Sequence, residues 1–76
     1  MVSHLISKKY YVLNKTIASE QITRRLAQIH GVVAVRIDGK DKCVQIDFYG
    51  QIEEEILAAL EDSAYMVSKI ENALGE

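Results

Sequence analysis

The sequence predicts an α+β domain of the ferredoxin-like class, a βαββαβ chain that folds into a four-stranded antiparallel sheet with two helices on one face. Three observations predict it. A helical period gives way to a strand period across a single His30-Gly31 hinge. A second helix-then-strand unit follows, joined to the first by Asp38-Gly39 between two strand patterns, a strong hairpin signal. Both helices and the alternating strand positions carry one apolar face and one polar face, as two stacked layers require.

The elements follow in order. Met1 to Ser7 reads as a frayed lead-in. Lys8 to Leu13 has strand propensity from Tyr10, Tyr11 and Val12, and the pattern leaves open which tyrosine faces inward. Asn14-Lys15-Thr16 is the turn into the first helix, with Thr16 as its N-cap and Glu20 favoured in the first turn by the helix dipole. That helix runs to His30. Ile22, Leu26 and Ile29 share one face, with Ala18 a turn earlier, while Gln21, Arg24, Arg25 and Gln28 take the wet side. Gly31 supplies the residue that commonly ends a helix, and His30 stands beside the last carbonyls, where an imidazole suits the dipole.

Val32 to Ile37 is too short and too β-branched for another helix and reads as the second strand. Lys42 to Phe48 is the third. Val44, Ile46 and Phe48 alternate there with Cys43, Gln45 and Asp47, so the first set faces the core and the second, Cys43 included, faces outward. Tyr49-Gly50-Gln51 breaks the strand. Glu53-Glu54-Glu55 opens a second helix that stops near Ser63, its stripe made by Ile52, Ile56 and Leu60 and widened by Leu57 and Ala59. Tyr65 to Ile70 is a fourth strand and Glu71 to Glu76 a tail. The whole is one domain over residues 1–76, with a core of about 8–70 and flexible ends.

Composition narrows the function. With 76 residues the domain is small, and chains of this size bury only ~60% of their unfolded surface. Nine basic and eleven acidic residues give a net charge of −2, without the concentrated basic excess that nonspecific nucleic-acid binding needs. No apolar run approaches the ~18 residues that span a bilayer, and Met1 to Tyr10 lacks the apolar core of a signal peptide. The expected location is the cytosol, as a free protein or as a cytosolic domain of a membrane protein. One cysteine, Cys43, rules out an internal disulfide. There is no nucleophile–base pair and no glycine-rich phosphate loop, and Glu53 to Glu55 read as helix-entry charge, so no enzyme is expected.

The residues from Tyr10 to about Val67 resemble the heavy-metal-associated domain, the module of copper chaperones and of the tails of metal-pumping P-type ATPases. The likeness is carried by the Ile22/Leu26/Ile29 helix before Gly31-Val32, by Val35 and Ile37, and by Val44 to Phe48. It continues through Glu54-Glu55-Ile56 and Leu60-Glu61-Asp62-Ser63-Ala64-Tyr65, which is similar to the family's Ile-Glu-Asp-x-Gly-Tyr ending with Ala64 in place of glycine. The resemblance puts the family's Met-x-Cys-x-x-Cys metal loop at Leu13-Asn14-Lys15-Thr16-Ile17-Ala18. Leu13 then stands for the methionine that packs under the loop, and Tyr65 for a tyrosine beside it. Lys15 and Ala18 take the two cysteine positions. Cu(I) is held by soft thiolates, which an ammonium and a methyl group cannot replace.

The resemblance therefore implies a non-catalytic module linked to metal transport that keeps the family's docking surface without its cargo site. The partner would be a P-type ATPase or other transporter domain, met by a small basic patch of Lys15, Thr16, Arg24 and Arg25. The second strand lies at a sheet edge in this topology, and the apolar run through Val33 and Val35 invites strand addition or a homodimer there. No bound cofactor is expected.

Two other readings stand beside it. Metal could bind through a non-classical or intermolecular site made by Cys43, or by His30. His4 is a weaker candidate, because an amine, two amides and a third-position imidazole suit Cu(II) or Ni(II) if Met1 is removed. RNA binding on the open sheet face ranks last. It needs exposed aromatics, which Tyr10 or Tyr11 would have to supply beside an outward set of only Cys43, Gln45 and Asp47.

Overall fold

The computed structural model describes residues 4–14 and 17–73. Its elements are β1 (Ile6–Val12), α1 (Ser19–Ala27), β2 (Val32–Asp38), β3 (Cys43–Phe48), α2 (Glu53–Asp62) and β4 (Val67–Asn72). The four strands form one antiparallel sheet in the order β2-β3-β1-β4, with β2 and β4 at its edges. This is the ferredoxin-like arrangement the sequence predicts.

The core lies between the sheet and the helices, and the alternation of side chains fills it. From the sheet come Tyr10, Val12, Val44, Ile46 and Phe48; from the helices come Ile22, Leu26, Ile56, Ala59 and Leu60; Tyr65 joins them from the α2–β4 connection. Tyr10 is the inward tyrosine of β1 and is fully buried. Its hydroxyl donates to Glu53 Oε2 at 3.4 Å, and Lys8 Nζ pairs with Glu53 Oε1 at 3.0 Å, so the first residue of α2 is tied to β1. Burial first, and then the Glu53 charge, push the Tyr10 hydroxyl far above the ordinary tyrosine range.

Several boundaries differ from the sequence reading. β1 starts at Ile6, because Ile6 pairs with Phe48 and Ser7 with Asp47; Ile6 and Ser7 are ordered strand, and the lead-in is shorter than expected. Ser7 is buried, donating to Asp47 Oδ1 at 2.5 Å and accepting from Gln45 Nε2 at 3.1 Å. Leu13 leaves the ladder, its amide going to the Met66 carbonyl at 2.9 Å. The N-cap position of α1 is Ala18, two residues after Thr16, and Thr16 lies outside the described residues.

At its other end α1 stops at Ala27. The amides of Gln28 and Ile29 reach back only to Arg25 and Leu26, so the chain tightens into a turn before Gly31. Those amides, and not the exposed His30 expected there, meet the carbonyls at the helix end. β4 begins at Val67 and extends to Asn72, because the turn after α2 holds Tyr65 in the core and delays the strand. The Asp38 carboxylate accepts from the Lys40 and Asp41 amides, which forms the expected hairpin turn.

Gly31 has φ +109°, and its carbonyl accepts from the Tyr49 amide at 2.9 Å. A Cβ there would sit 2.8 Å from the Tyr49 backbone oxygen and 3.1 Å from Ile52 Cδ1. Gly31→Ala is therefore expected to lower stability by about 1–3 kcal/mol, read from the denaturant midpoint at unchanged m-value.

Candidate functional site

The loop where the resemblance places the metal site leaves β1 at one end of the sheet, beside the β2–β3 hairpin and the α2–β4 connection. Val12 ties it to the hairpin by donating to the Lys42 carbonyl at 2.9 Å. The α2–β4 connection is built by the end of α2. The Tyr65 amide donates to the Leu60 carbonyl and the Ala64 amide to the Glu61 carbonyl, each at 2.9 Å, the paired bonds of a Schellman ending. That motif needs a left-handed residue, which is usually glycine. Here it is Ala64, with φ +69°.

Three side-chain bonds lock this connection to the loop. Asn14 Nδ2 donates to the Ala64 carbonyl at 2.8 Å, and Asn14 Oδ1 accepts from the Met66 amide at 3.0 Å. The Tyr65 hydroxyl accepts from the Ala18 amide at 2.8 Å, serving one of the unpaired donors at the start of α1, which has no side-chain cap of its own. Tyr65 thus packs its ring in the core and presents its hydroxyl at the loop. Asn14, read from sequence as a turn residue, proves to be a two-handed clamp. Nothing local signals this, because its partners lie 50 and 52 residues away.

The remaining loop positions divide. Ile17 is half-buried against the core and Ala18 is exposed. Lys15, which the resemblance puts at the first cysteine position, lies with Thr16 outside the described residues. Leu13 does not pack beneath the loop as its methionine counterpart would. It is 64% exposed, beside Met66 at 66%, because its backbone turns outward to bond Met66.

Of the expected basic patch, Arg24 and Arg25 are described, and Lys15 and Thr16 lie outside the described residues. Arg24 and Arg25 occupy the last turn of α1, about 10 Å along the axis from the loop. Each has an acidic neighbour: Arg24 pairs with Glu20 at 3.6 Å and Arg25 with Asp62 at 3.1 Å. Val33 and Val35 also separate. Val35 faces the core, while Val33 is the extra residue of a bulge in β2, between the pairs Val32↔Phe48 and Ala34↔Asp47. A bulge interrupts an edge, so β2 is a poorer template for strand addition than its sequence suggests.

Nor do the weaker metal candidates meet. Cys43 is at the hairpin end of β3, whereas exposed His30 precedes Gly31, which bonds Tyr49 at the other end, roughly 17 Å away. Cys43 lies on the open sheet face, as its alternation predicts, but it is buried there and not exposed. The side chains that crowd it are those of its neighbours across the sheet, Tyr11 on β1 and Asp38 on β2. Burial pushes its thiol up, with Asp38, Asp41 and Glu71 adding to the rise and Lys9 opposing it, which disfavours the thiolate that soft metals need. His4 is exposed, and residues 1–3 of the amino-terminal site lie outside the described residues. Among the described residues, no three His, Cys, Asp or Glu side chains group to hold a metal ion.

Among the described strand residues, Tyr11 is the aromatic on the open sheet face. Its hydroxyl donates to Glu71 at 3.1 Å and its ring lies 5.5 Å from the Lys69 ammonium. Tyr10, the alternative, is in the core. No described helix is long and apolar enough to cross a membrane.

The strand order and the two helices define a domain of the ferredoxin-like βαββαβ fold. Among solved structures, the crystal structure of oxidized MerP from Ralstonia metallidurans CH34 is similar, with a TM-score of 0.65 over 88% of this chain and 96% of that one. Identity is 14%, so the likeness is one of fold. No family model matches the chain, and no curated protein does.

The clamp and the strained turn make opposite predictions. Ala64→Gly relieves a left-handed alanine and is expected to stabilise the domain by about 1 kcal/mol. Asn14→Ala removes both bonds and is expected to cost about 1–2 kcal/mol. Thermal melts of the two variants beside the parent chain check both signs.

Proposed function

We propose that this chain is a non-catalytic docking module built on a metal-handling scaffold, with the thiolate pair of the metal loop replaced by Lys15 and Ala18. It would contact a transporter domain or another protein of metal homeostasis, in the cytosol or on a cytosolic segment of a membrane protein. The observation that carries this reading is the way the loop end is held. Asn14 and Tyr65 fasten it with the chain's own hydrogen bonds, so the surface a partner would meet is organised without a metal ion. Leu13 and Met66 stand out side by side on that surface. Exposed apolar side chains on a rigid frame lose little entropy when a partner covers them.

Lys15, two residues after Leu13 in the sequence, adds a positive charge that would favour an acidic partner. Arg24 and Arg25 contribute less than their sequence positions suggest, because their local charge is balanced by Glu20 and Asp62.

The test uses the full chain with a soluble domain of a metal-transporting P-type ATPase as the probe, followed by calorimetry in the presence of a chelator. Binding is expected without metal, to weaken with salt, and to fall about tenfold or more in Leu13→Asp and Met66→Asp. Stoichiometric copper or zinc bound at the loop, or complexes unaffected by both substitutions, would overturn the reading.

A further inference from the structure

The second edge of the sheet is built differently from the first. β4 pairs only with β1, and its outer side is open among the described residues. In an antiparallel ladder, residues alternate between those that exchange both backbone bonds with the neighbour and those whose N–H and C=O point the other way. The Ala73 amide donates to the Ser7 carbonyl at 2.8 Å, which fixes the phase. Counting along the register Lys9↔Glu71, Tyr10↔Ile70 and Tyr11↔Lys69, the backbone groups of Ile70 and Asn72 point outward from the sheet.

The side chains of that edge are sorted by face. Ile70 shares Tyr10's side of the sheet, the helix side, and is 41% exposed. It lines a groove of ≈ 420 Å³ with Leu57, Glu61, Tyr65, Met66 and Val67. Lys69 and Glu71 share the opposite, open face and pair with each other at 2.8 Å.

We propose that β4 is a self-association edge, and that its occupant is β4 of a second copy of this chain, antiparallel and centred on Ile70. A two-fold axis perpendicular to the sheet then sets Ile70 against Ile70 of the second copy, in the pair whose backbone groups face outward on both chains. It sets Lys69 of each copy opposite Glu71 of the other, twice over. Charge selects this register from its neighbours. A pairing centred on Lys69 opposes two ammonium groups, and one centred on Glu71 opposes two carboxylates. In the Ile70-centred arrangement both helix layers stay on one side of an eight-stranded sheet, and the two grooves, apolar apart from Glu61, adjoin across the axis. β2 offers no equivalent, because the bulge at Val33 breaks its edge. The inference does not depend on the docking reading.

Sedimentation equilibrium of the full chain tests it. A reversible monomer–dimer equilibrium is expected. Lys69→Glu and Glu71→Lys should each weaken it about tenfold, and the double swap should restore it, since the reciprocal pairs are re-formed. Circular dichroism melts confirm that the variants are folded. In a Cys43→Ala background, Ile70→Cys should oxidise to a disulfide-linked dimer and Val33→Cys should not. A chain that stays monomeric at millimolar concentration overturns the proposal. So does a dimer in which the double swap fails to rescue the single reversals, or one cross-linked through Val33→Cys.

Discussion

One side chain joins the parts of this molecule that define its character. Tyr65 buries its ring in the common core, takes its position from the paired backbone bonds that end α2, and receives the amide of Ala18 on its hydroxyl across 47 residues of sequence. The start of α1, the end of α2 and the exit from β1 are therefore one mechanical unit. Asn14 closes the same unit from the other side. A thiolate–metal bond pair at this place would do similar work by drawing the loop onto a central ion. Here hydrogen bonds do it, and a left-handed alanine at Ala64 bears the local strain.

The constraint explains where the sequence was readable and where it was not. The stripes of α1 and α2 and the alternation of β3 are local periodicities imposed by burial, and each reappears in the core. The Asp38-Gly39 turn is local chemistry too, and Asp38 makes its bonds within three residues. The ends of β1 and β4 are not local. They are set by the ladder to Phe48 and by the Tyr65 turn, which no window of sequence contains. Cys43 shows the same limit in another form. Its alternation gives the correct face, but its burial depends on neighbours on two other strands.

The place of the candidate site was legible mainly through the family resemblance. The resemblance places it at Leu13 to Ala18, and the Tyr65 hydroxyl meets that segment at the Ala18 amide. What the residues do now could not be read the same way. The Asn14 clamp is invisible without the fold, and the basic character of Arg24 and Arg25 dissolves once Glu20 and Asp62 are seen beside them. The apolar pair Leu13 and Met66 is assembled only by a backbone bond between distant segments. Among the described residues, the surface that remains distinctive is the exposed apolar pair Leu13 and Met66.

The central claim is that the loop end is organised by the polypeptide alone. Native-state amide exchange on the metal-free chain, in the presence of a chelator, tests it most directly at the Ala18 and Met66 amides, whose acceptors are the Tyr65 hydroxyl and the Asn14 carboxamide. Both amides should be protected, and adding Cu(I) or Zn(II) should leave their rates unchanged. Free exchange of both amides without metal, with protection appearing only when an ion is added, would contradict the account.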